Sequence, residues 1–469
     1  MKPITDAESI FRAAVARVDP VPMIQKALRI VVDSPGSHSP GRRRPERLVV
    51  LSGVSDETSY DLNAYDRIFV TGMGKASARM ALGLENVLGS RLSGGLVAVK
   101  EGHVEKLARV RLIESSHPVP DGRSVVAARS ILELGASLGT TLGDRDLVIV
   151  LVSGGGSSLL CAPAPGISLE DKIAVTRLLL SCGATIHEMN CVRKHLSAVK
   201  GGQLAAALAP ATVLALVLSD VIGDDLDTIA SGPTVPDSSS FADALHIVRR
   251  YGIEEKLPVS VASRLRSGAA GGSGSPSETP KPGDPLFERV RTVLVGTNRL
   301  ALEAARTEAQ GLGYDTLVLS SRLTGEAREL ALTFLGIGQD IAASGFPLRA
   351  PACVIAGGET TVTIRGKGRG GRNQEMALAF LAALGRSGKA SDRLTFLSGG
   401  TDGNDGPTDA AGAVVHAGLY ESAKTLGLDI DAALDTNDSY TYFKQAGGLL
   451  MTGPTNTNVC DVQVLLVND

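Results

Sequence analysis

The chain has 469 residues, 43% of them hydrophobic, 21% charged and only 3% aromatic, with no tryptophan and a formal net charge of −3. This length gives two or three domains with large cores, while the near-neutral charge and scarce aromatics argue against a nucleic-acid or membrane partner. Five scattered cysteines form no Cys-x-x-Cys pair, the N-terminus lacks a secretory pattern and no apolar run approaches bilayer length, so a cytoplasmic location is expected.

An amphipathic stretch from Ile10 to Val31 opens the chain, and residues 34–47, rich in Pro, Gly, Ser and Arg, read as an exposed loop. Short apolar strands are expected at 67–71, 96–99, 110–114, 147–152 and 212–219. Helices are expected at 76–88, 123–138, 169–180 and 187–208. Such alternation predicts an α/β fold with a mostly parallel, doubly wound sheet. Residues 267–284 are low in complexity and nearly free of apolar side chains. The boundaries predicted are therefore 1–265 for a first domain, 266–285 for a linker and 286–469 for a second α/β domain. In the second run, strands are expected at 290–295, 316–319, 352–355, 361–364 and 394–397, with helices at 299–312 and 326–342.

Ligands of open α/β sheets bind at the carboxyl ends of strands. Here those ends carry Thr71-Gly-Met-Gly-Lys-Ala-Ser77, Ser153-Gly-Gly-Gly-Ser-Ser158, Ser219-Asp-Val-Ile-Gly-Asp-Asp225, Gly357-Gly-Glu359 and Ser398-Gly-Gly-Thr-Asp-Gly-Asn-Asp-Gly406. Glycines for close approach, hydroxyls for hydrogen bonds and carboxylates for a metal suit phosphoryl transfer, which works by positioning and charge stabilisation. Gly72 and Gly74 open a dinucleotide-like turn, but Ser77 replaces the third glycine and no ribose-binding acid follows. A Walker loop fails as well, because Ala76 stands where a magnesium-binding hydroxyl belongs.

Lys75 starts a helix after a glycine turn, where it can meet a phosphate or a carboxylate. His117, in Ser115-Ser-His-Pro-Val-Pro-Asp-Gly122, either orients substrate or is a structural loop histidine. Arg193, Ser197 and Lys200 fall on one face of the helix expected from His187, as a phosphate-facing edge or a solvated one. Asp220, at a strand end, is the carboxylate expected to act as general base. Asp402 and Asp405 do not fit an EF-hand, yet one or two carboxylates suffice for Mg²⁺. The stretch Gly366-Lys-Gly-Arg-Gly-Gly-Arg372 holds four glycines and three cations ahead of the helix-forming run from Asn373. It reads as an anion cradle at a helix N-terminus, or as a solvated basic loop.

These blocks, with Leu218-Ser-Asp-Val-Ile-Gly-Asp224, Gly368-Arg-Gly-Gly-Arg-Asn-Gln-Glu375 and Thr455-Asn-Thr-Asn-Val459, resemble in order and over nearly the whole chain the class II glycerate 2-kinases, whose C-terminal part is the MOFRL domain. The resemblance implies ATP- and Mg²⁺-dependent phosphorylation of the C2 hydroxyl of D-glycerate, in a cleft between a Rossmann-like domain and the MOFRL domain. It places Lys75 and Arg372 as catalytic cations and Asp220 at the same site. In this reading Ser153, Gly154, Gly155, Gly156 and Ser157 cradle phosphate or the glycerate carboxylate, with Gly72, Gly74, His117, Arg193, Lys200, Glu359 and Gly371 around the ligands. Asp402 and Asp405, or Glu359, hold the metal. D-Glycerate is the expected small-molecule partner, with a homodimer as the self-assembly to look for. Two other readings compete: an NAD(P)H-dependent hydroxypyruvate reductase, disfavoured by the incomplete dinucleotide turn, and a non-enzymatic phosphosugar-binding module.

Overall fold

The computed structural model describes residues 2–32, 46–52, 56–387 and 392–469. The loop read at 34–47 lies outside them, apart from Glu46 and Arg47, which begin a strand. The chain forms two compact units. One comprises Pro20–Ser219 and Asp224–Val295; the other comprises the segment through Asp19, Asp220–Gly223 and Gly296–Asp469.

In the first unit, β1 (Leu28–Val32), β2 (Glu46–Ser52) and β3 (Asp56–Asp61) form an antiparallel sheet that the sequence pattern did not announce. The main sheet contains β4 (Arg67–Met73), β5 (Leu92–Lys100), β6 (Val110–Ser115), β7 (Asp146–Val152), β8 (Thr212–Leu218) and β9 (Val290–Gly296), in the order β6-β5-β4-β7-β8-β9. Pairing is parallel from β6 through β8. All seven residues of β7, Asp-Leu-Val-Ile-Val-Leu-Val, are buried, as expected for a strand covered on both faces. The chain winds from β4 outward to β6, then restarts at β7 on the other side of β4. The carboxyl ends of β4 and β7 therefore flank the topological switch point, where open α/β sheets bind ligands.

The strand expected at 290–295 forms, but as the edge of this first sheet. The passage to the second unit falls at 295/296 rather than within 266–285. The Ser/Gly/Pro-rich stretch is held by its own unit. Phe241 N donates to Glu278 (2.9 Å), His195 Nε2 lies 3.1 Å from Glu278, and Thr279 Oγ1 donates to the buried Asp237 (2.8 Å). The helix expected at 187–208 breaks: it ends at His195 and resumes at Gln203–Leu208, after Gly201 and Gly202 turn with positive φ.

The second unit carries β10 (Asp315–Leu323), β11 (Ala352–Gly358), β12 (Leu394–Gly400), β13 (Gly412–His416), β14 (Leu449–Leu450) and β15 (Asp461–Val467), in the order β10-β11-β15-β12-β13-β14. Only the β10–β11 pair is parallel among these. The mostly parallel expectation therefore holds for the first sheet alone. Residues 361–364 make one bridge, at Thr361, and no strand. The turn before Ala327 takes their backbone groups: Thr361 N donates to Gly325 O and Thr363 N to the Glu326 carboxylate. Against the sheet, helix Arg372–Arg386 buries eleven residues, with Phe380 stacked on Phe396 at 4.5 Å. Helix Lys2–Arg17 belongs to this unit too, tied by Tyr314 OH to Asp6 (2.8 Å) and by Ser9 Oγ to Glu308 (2.7 Å). No helix among the described residues is long and apolar enough to cross a membrane.

Candidate active site

At the switch point the turns after β4 and β7 are laced together. Lys75 N donates to Gly154 O (2.9 Å) and Ser153 N to Met73 O (3.0 Å). The buried Ser153 Oγ accepts from Ala76 N (3.1 Å) and lies 3.1 Å from Ser77 Oγ. Gly72 and Gly74 are required by close approach to β7, since a Cβ on them would collide with Leu151 and Ser153. Their missing side chains face a neighbouring strand and not a ligand. Gly156 is likewise packed on Met73. Gly155 adopts φ +80°, and a Cβ there would stand 2.8 Å from the His117 ring and 3.4 Å from Lys75 Cε. His117, Lys75 and the glycine turn therefore share one small space. Burial, then Lys75, Lys100 and His103, push His117 down to about 4, so it is a neutral imidazole at pH 7.

Beyond Gly156 the loop presents Ser157, on which two cations converge. Arg193 Nη2 donates to Ser157 Oγ (2.8 Å), and Lys200 Nζ donates to Ser157 O (3.0 Å) and also contacts its hydroxyl. Arg193 sits in the last turn of helix Ile186–His195, whereas Ser197 and Lys200 lie past its end. The expected helical face does not exist, although two of its members reach the same serine. Ser197 Oγ instead bonds Ala162 O at 3.2 Å.

The second unit disposes of its glycine-rich stretch differently. Arg365 N and Gly366 N donate to Asn437 Oδ1, Gly368 N to Thr436 O and Arg369 N to Asp438 Oδ1. A Cβ on Gly366, Gly368, Gly370 or Gly371 would collide with Thr436, Asp438, Ser439 or Asp405. The glycines let this loop lie flush on its neighbours, and three of its N–H groups, with that of Arg365 before it, serve that packing in place of an anion. The helix N-terminus that follows is capped by Asp405, whose carboxylate accepts from Asn373 N (3.1 Å) and Gln374 N (2.8 Å). Asp405 is 3% exposed and burial raises its pKa, which makes it a cap before it is a metal ligand.

Arg372 is fully engaged as well. Its guanidinium forks onto Asp461 (2.6 and 3.0 Å) and reaches Glu359 (2.6 Å). Burial works to lower its pKa, but the two carboxylates more than offset that and raise it. Asp461, fully buried in β15, is pushed up to about 6 by burial against the pull of Arg372. Arg372, Asp402 and Asp405 line one side of a cavity of about 600 Å³, together with Thr360, Gly371 and Asn404. Asp402 accepts Asn404 N at one oxygen (3.0 Å). Among the described residues no three His, Cys, Asp or Glu side chains cluster as a metal site. A Mg²⁺ bound mainly by phosphate and water needs only one carboxylate, so Asp402 fits that limited duty better than Asp405. Asp220, half-buried after β8, accepts a hydrogen bond from Cys460 Sγ at its main-chain oxygen (3.2 Å).

Several residues around the first-unit site escaped the sequence reading. Lys100 and His103 crowd His117. Lys172, Asn190 and Ser231 lie around Ser157, where Ser231 Oγ is 3.0 Å from Ser157 Oγ and donates to Asn190 (2.9 Å). Only the folded chain marks the place, with Ala230-Ser231-Gly232 as three consecutive residues of positive φ, two of them non-glycine.

Two family models match the chain: a domain of unknown function (DUF4147) over residues 6–266 and the MOFRL family over 352–461. A D-glycerate 2-kinase from Thermotoga maritima is 40% identical over 450 residues, covering 96% of this chain and 99% of that protein. The glycerate kinase of Homo sapiens is 38% identical, covering 98% and 92%. This chain belongs to the glycerate kinase family. A crystal structure of the Thermotoga maritima glycerate kinase superposes with a TM-score of 0.84 at 36% identity, over 99% of both chains. Another relative, from Agrobacterium vitis and 44% identical over 86% of this chain, carries a provisional name as a hydroxypyruvate reductase. Within the family, the Gly72–Gly74 turn of this chain gives that second name no support, because its glycines are closed against β7.

Proposed function

We propose that the protein transfers the γ-phosphoryl group of ATP to the C2 hydroxyl of D-glycerate, giving 2-phospho-D-glycerate and ADP. The observation that carries this reading is the switch point of the first sheet. There Lys75, neutral His117 and the Ser157 loop with Arg193 and Lys200 converge, and none of these side chains is ion-paired among the described residues. Such a place receives anions.

Lys75 stabilises charge on the transferring group, and neutral His117 orients the acceptor. Asp220 accepts the proton of the C2 hydroxyl. Arg372 either adds to charge stabilisation or positions the Asp461–Glu359 pair. Mg²⁺, when bound, neutralises the phosphate oxygens, and Asp402 is the carboxylate assigned to hold it. Five free cysteines suit a reducing, cytoplasmic setting.

Purified protein given ATP, Mg²⁺ and D-glycerate should release ADP, with phosphorus NMR placing the new ester at C2. Lys75→Ala should lose at least about 100-fold in kcat, the scale of one preorganised charge donor. Turnover of NADH with hydroxypyruvate, and no ADP from glycerate, would establish the reductase reading instead.

A further inference from the structure

Buried charge in this protein is normally paired. Lys194, 1% exposed, ion-pairs with both Asp227 and Asp237. A few residues away the pattern fails. Lys172 is 7% exposed, Lys200 is 2% exposed and Arg193 is largely buried, yet among the described residues no carboxylate forms an ion pair with any of them. They are near enough to repel one another, and the other titratable group facing them is the Cys161 thiol. Lys172 Nζ has only Ala162 O at 3.4 Å and that thiol, while Lys200 and Arg193 have Ser157. Beside them Asn190, 3% exposed, has its Oδ1 held by Ser231 and Arg193, but its Nδ2 is buried without a partner. Uncompensated cations and an orphaned amide donor are costly in a protein interior unless a ligand completes them.

We propose that Lys172, Arg193 and Lys200, with Asn190 Nδ2 and the Ser157 hydroxyl, form the seat for the carboxylate of the acceptor substrate. This rests on the glycerate kinase reading and deepens it. Every unsatisfied group here is a donor, as a carboxylate requires. A phosphate group would be satisfied by the same donors, so access decides between the two anions. Only Ser157 and Arg193 are partly open to solvent, so a small terminal anion can enter where a nucleotide cannot.

Occupation of the seat is linked to protons. Burial, then the neighbouring cations, hold Lys200 well below its ordinary value, and burial lowers Lys172 to about 8. A bound carboxylate favours the charged lysines, so binding takes up protons and weakens as pH rises through 8.

The test pairs calorimetry of the full-length protein with steady-state kinetics, using D-glycerate and, as a carboxylate-free probe, glycerol. Arg193→Gln and Lys172→Met should raise KM for D-glycerate about 10- to 100-fold, the worth of one buried charge-assisted hydrogen bond, and leave KM for ATP within about twofold. Lys172→Arg, which keeps the charge, should recover part of the loss. Melting curves of each variant separate misfolding from lost binding. A raised KM for ATP with an unchanged KM for glycerate would assign the seat to phosphate and overturn the proposal. So would glycerol binding as tightly as D-glycerate, or unchanged constants for both substrates. If the wild-type protein makes no ADP, the kinase reading fails by itself, and calorimetric binding of D-glycerate still decides the seat.

Discussion

Arg372→Ala is the substitution most easily misread. Its first effect is on Asp461, which is fully buried, pairs in register with Gly358 and Gly400 on either side, and has Arg372 as its only cation partner among the described residues. Removing one member of a buried ion pair costs about 3–5 kcal/mol. Even with Arg372 present, burial raises Asp461 from 3.8 to about 6. Without Arg372 the carboxyl rises further.

The sign follows from proton counting. A carboxyl whose folded pKa exceeds its unfolded value binds more protons when folded, so its penalty is relieved below that pKa and full above it. Denaturant unfolding of Arg372→Ala should therefore show a deficit of about 3 kcal/mol or more at pH 8 that narrows at pH 5. Adding Asp461→Asn should return at least half of it. A single variant within about 1 kcal/mol of wild type at pH 8, or no rescue by Asp461→Asn, would refute the reasoning. Turnover then becomes interpretable: a folded double variant that stays inactive assigns Arg372 to the chemistry, and one that recovers activity assigns it to positioning.

Other outcomes follow from the same packing and charge arguments. Lys172→Met should stabilise the ligand-free protein by up to about 3 kcal/mol, from a shift of about 2.5 pH units. Because the folded pKa is depressed, that gain is full below about pH 8 and fades towards 10.5, which melting curves across that window would reveal. Gly366→Ala places a methyl against the Thr436 backbone and should cost about 1–3 kcal/mol in chemical denaturation, without the pH dependence of Arg372→Ala. Tyr314→Phe leaves Asp6, 6% exposed, without its phenol donor and should cost about 1–3 kcal/mol by the same measure.

The parallel sheet of the first unit was legible because its strands are buried on both faces. Runs such as Leu147–Val152 are unbroken by polar residues and end abruptly in glycine. The antiparallel strands β13 and β15 were not. β13 folds back on β12 after a loop too long for a hairpin signature, β15 pairs with β11 and β12, which are remote in sequence, and Asp461 and Gln463 interrupt the apolar pattern of β15 to serve Arg372 and Ser398. Lys75 and Ser157 were singled out from residue type and loop position, and Arg193 and Lys200 from a helical face that the structure does not form, although both reach Ser157. Lys172 was missed because on helix Leu169–Ser181 it looks like any solvated lysine, and only the tertiary fold buries it. The packing role of the glycines at 366–371 was illegible for the converse reason. Composition announces that backbone comes close to something, and here that something is residues 436–439 of the same chain.

Strand β15 lies between β11 and β12, at the middle of its sheet, although it follows both of them in the chain. Until it emerges, β11 and β12 have no common neighbour, and the buried carboxylate that anchors Arg372 does not yet exist. On a ribosome the second unit must wait with two open strand edges, while the described strands of the first sheet all precede Asn298 and are free to pair. A chain stalled before β15 would thus keep the strands of the first sheet and lack the middle strand of the second, so the Arg372–Asp461 pair forms only once β15 is in place.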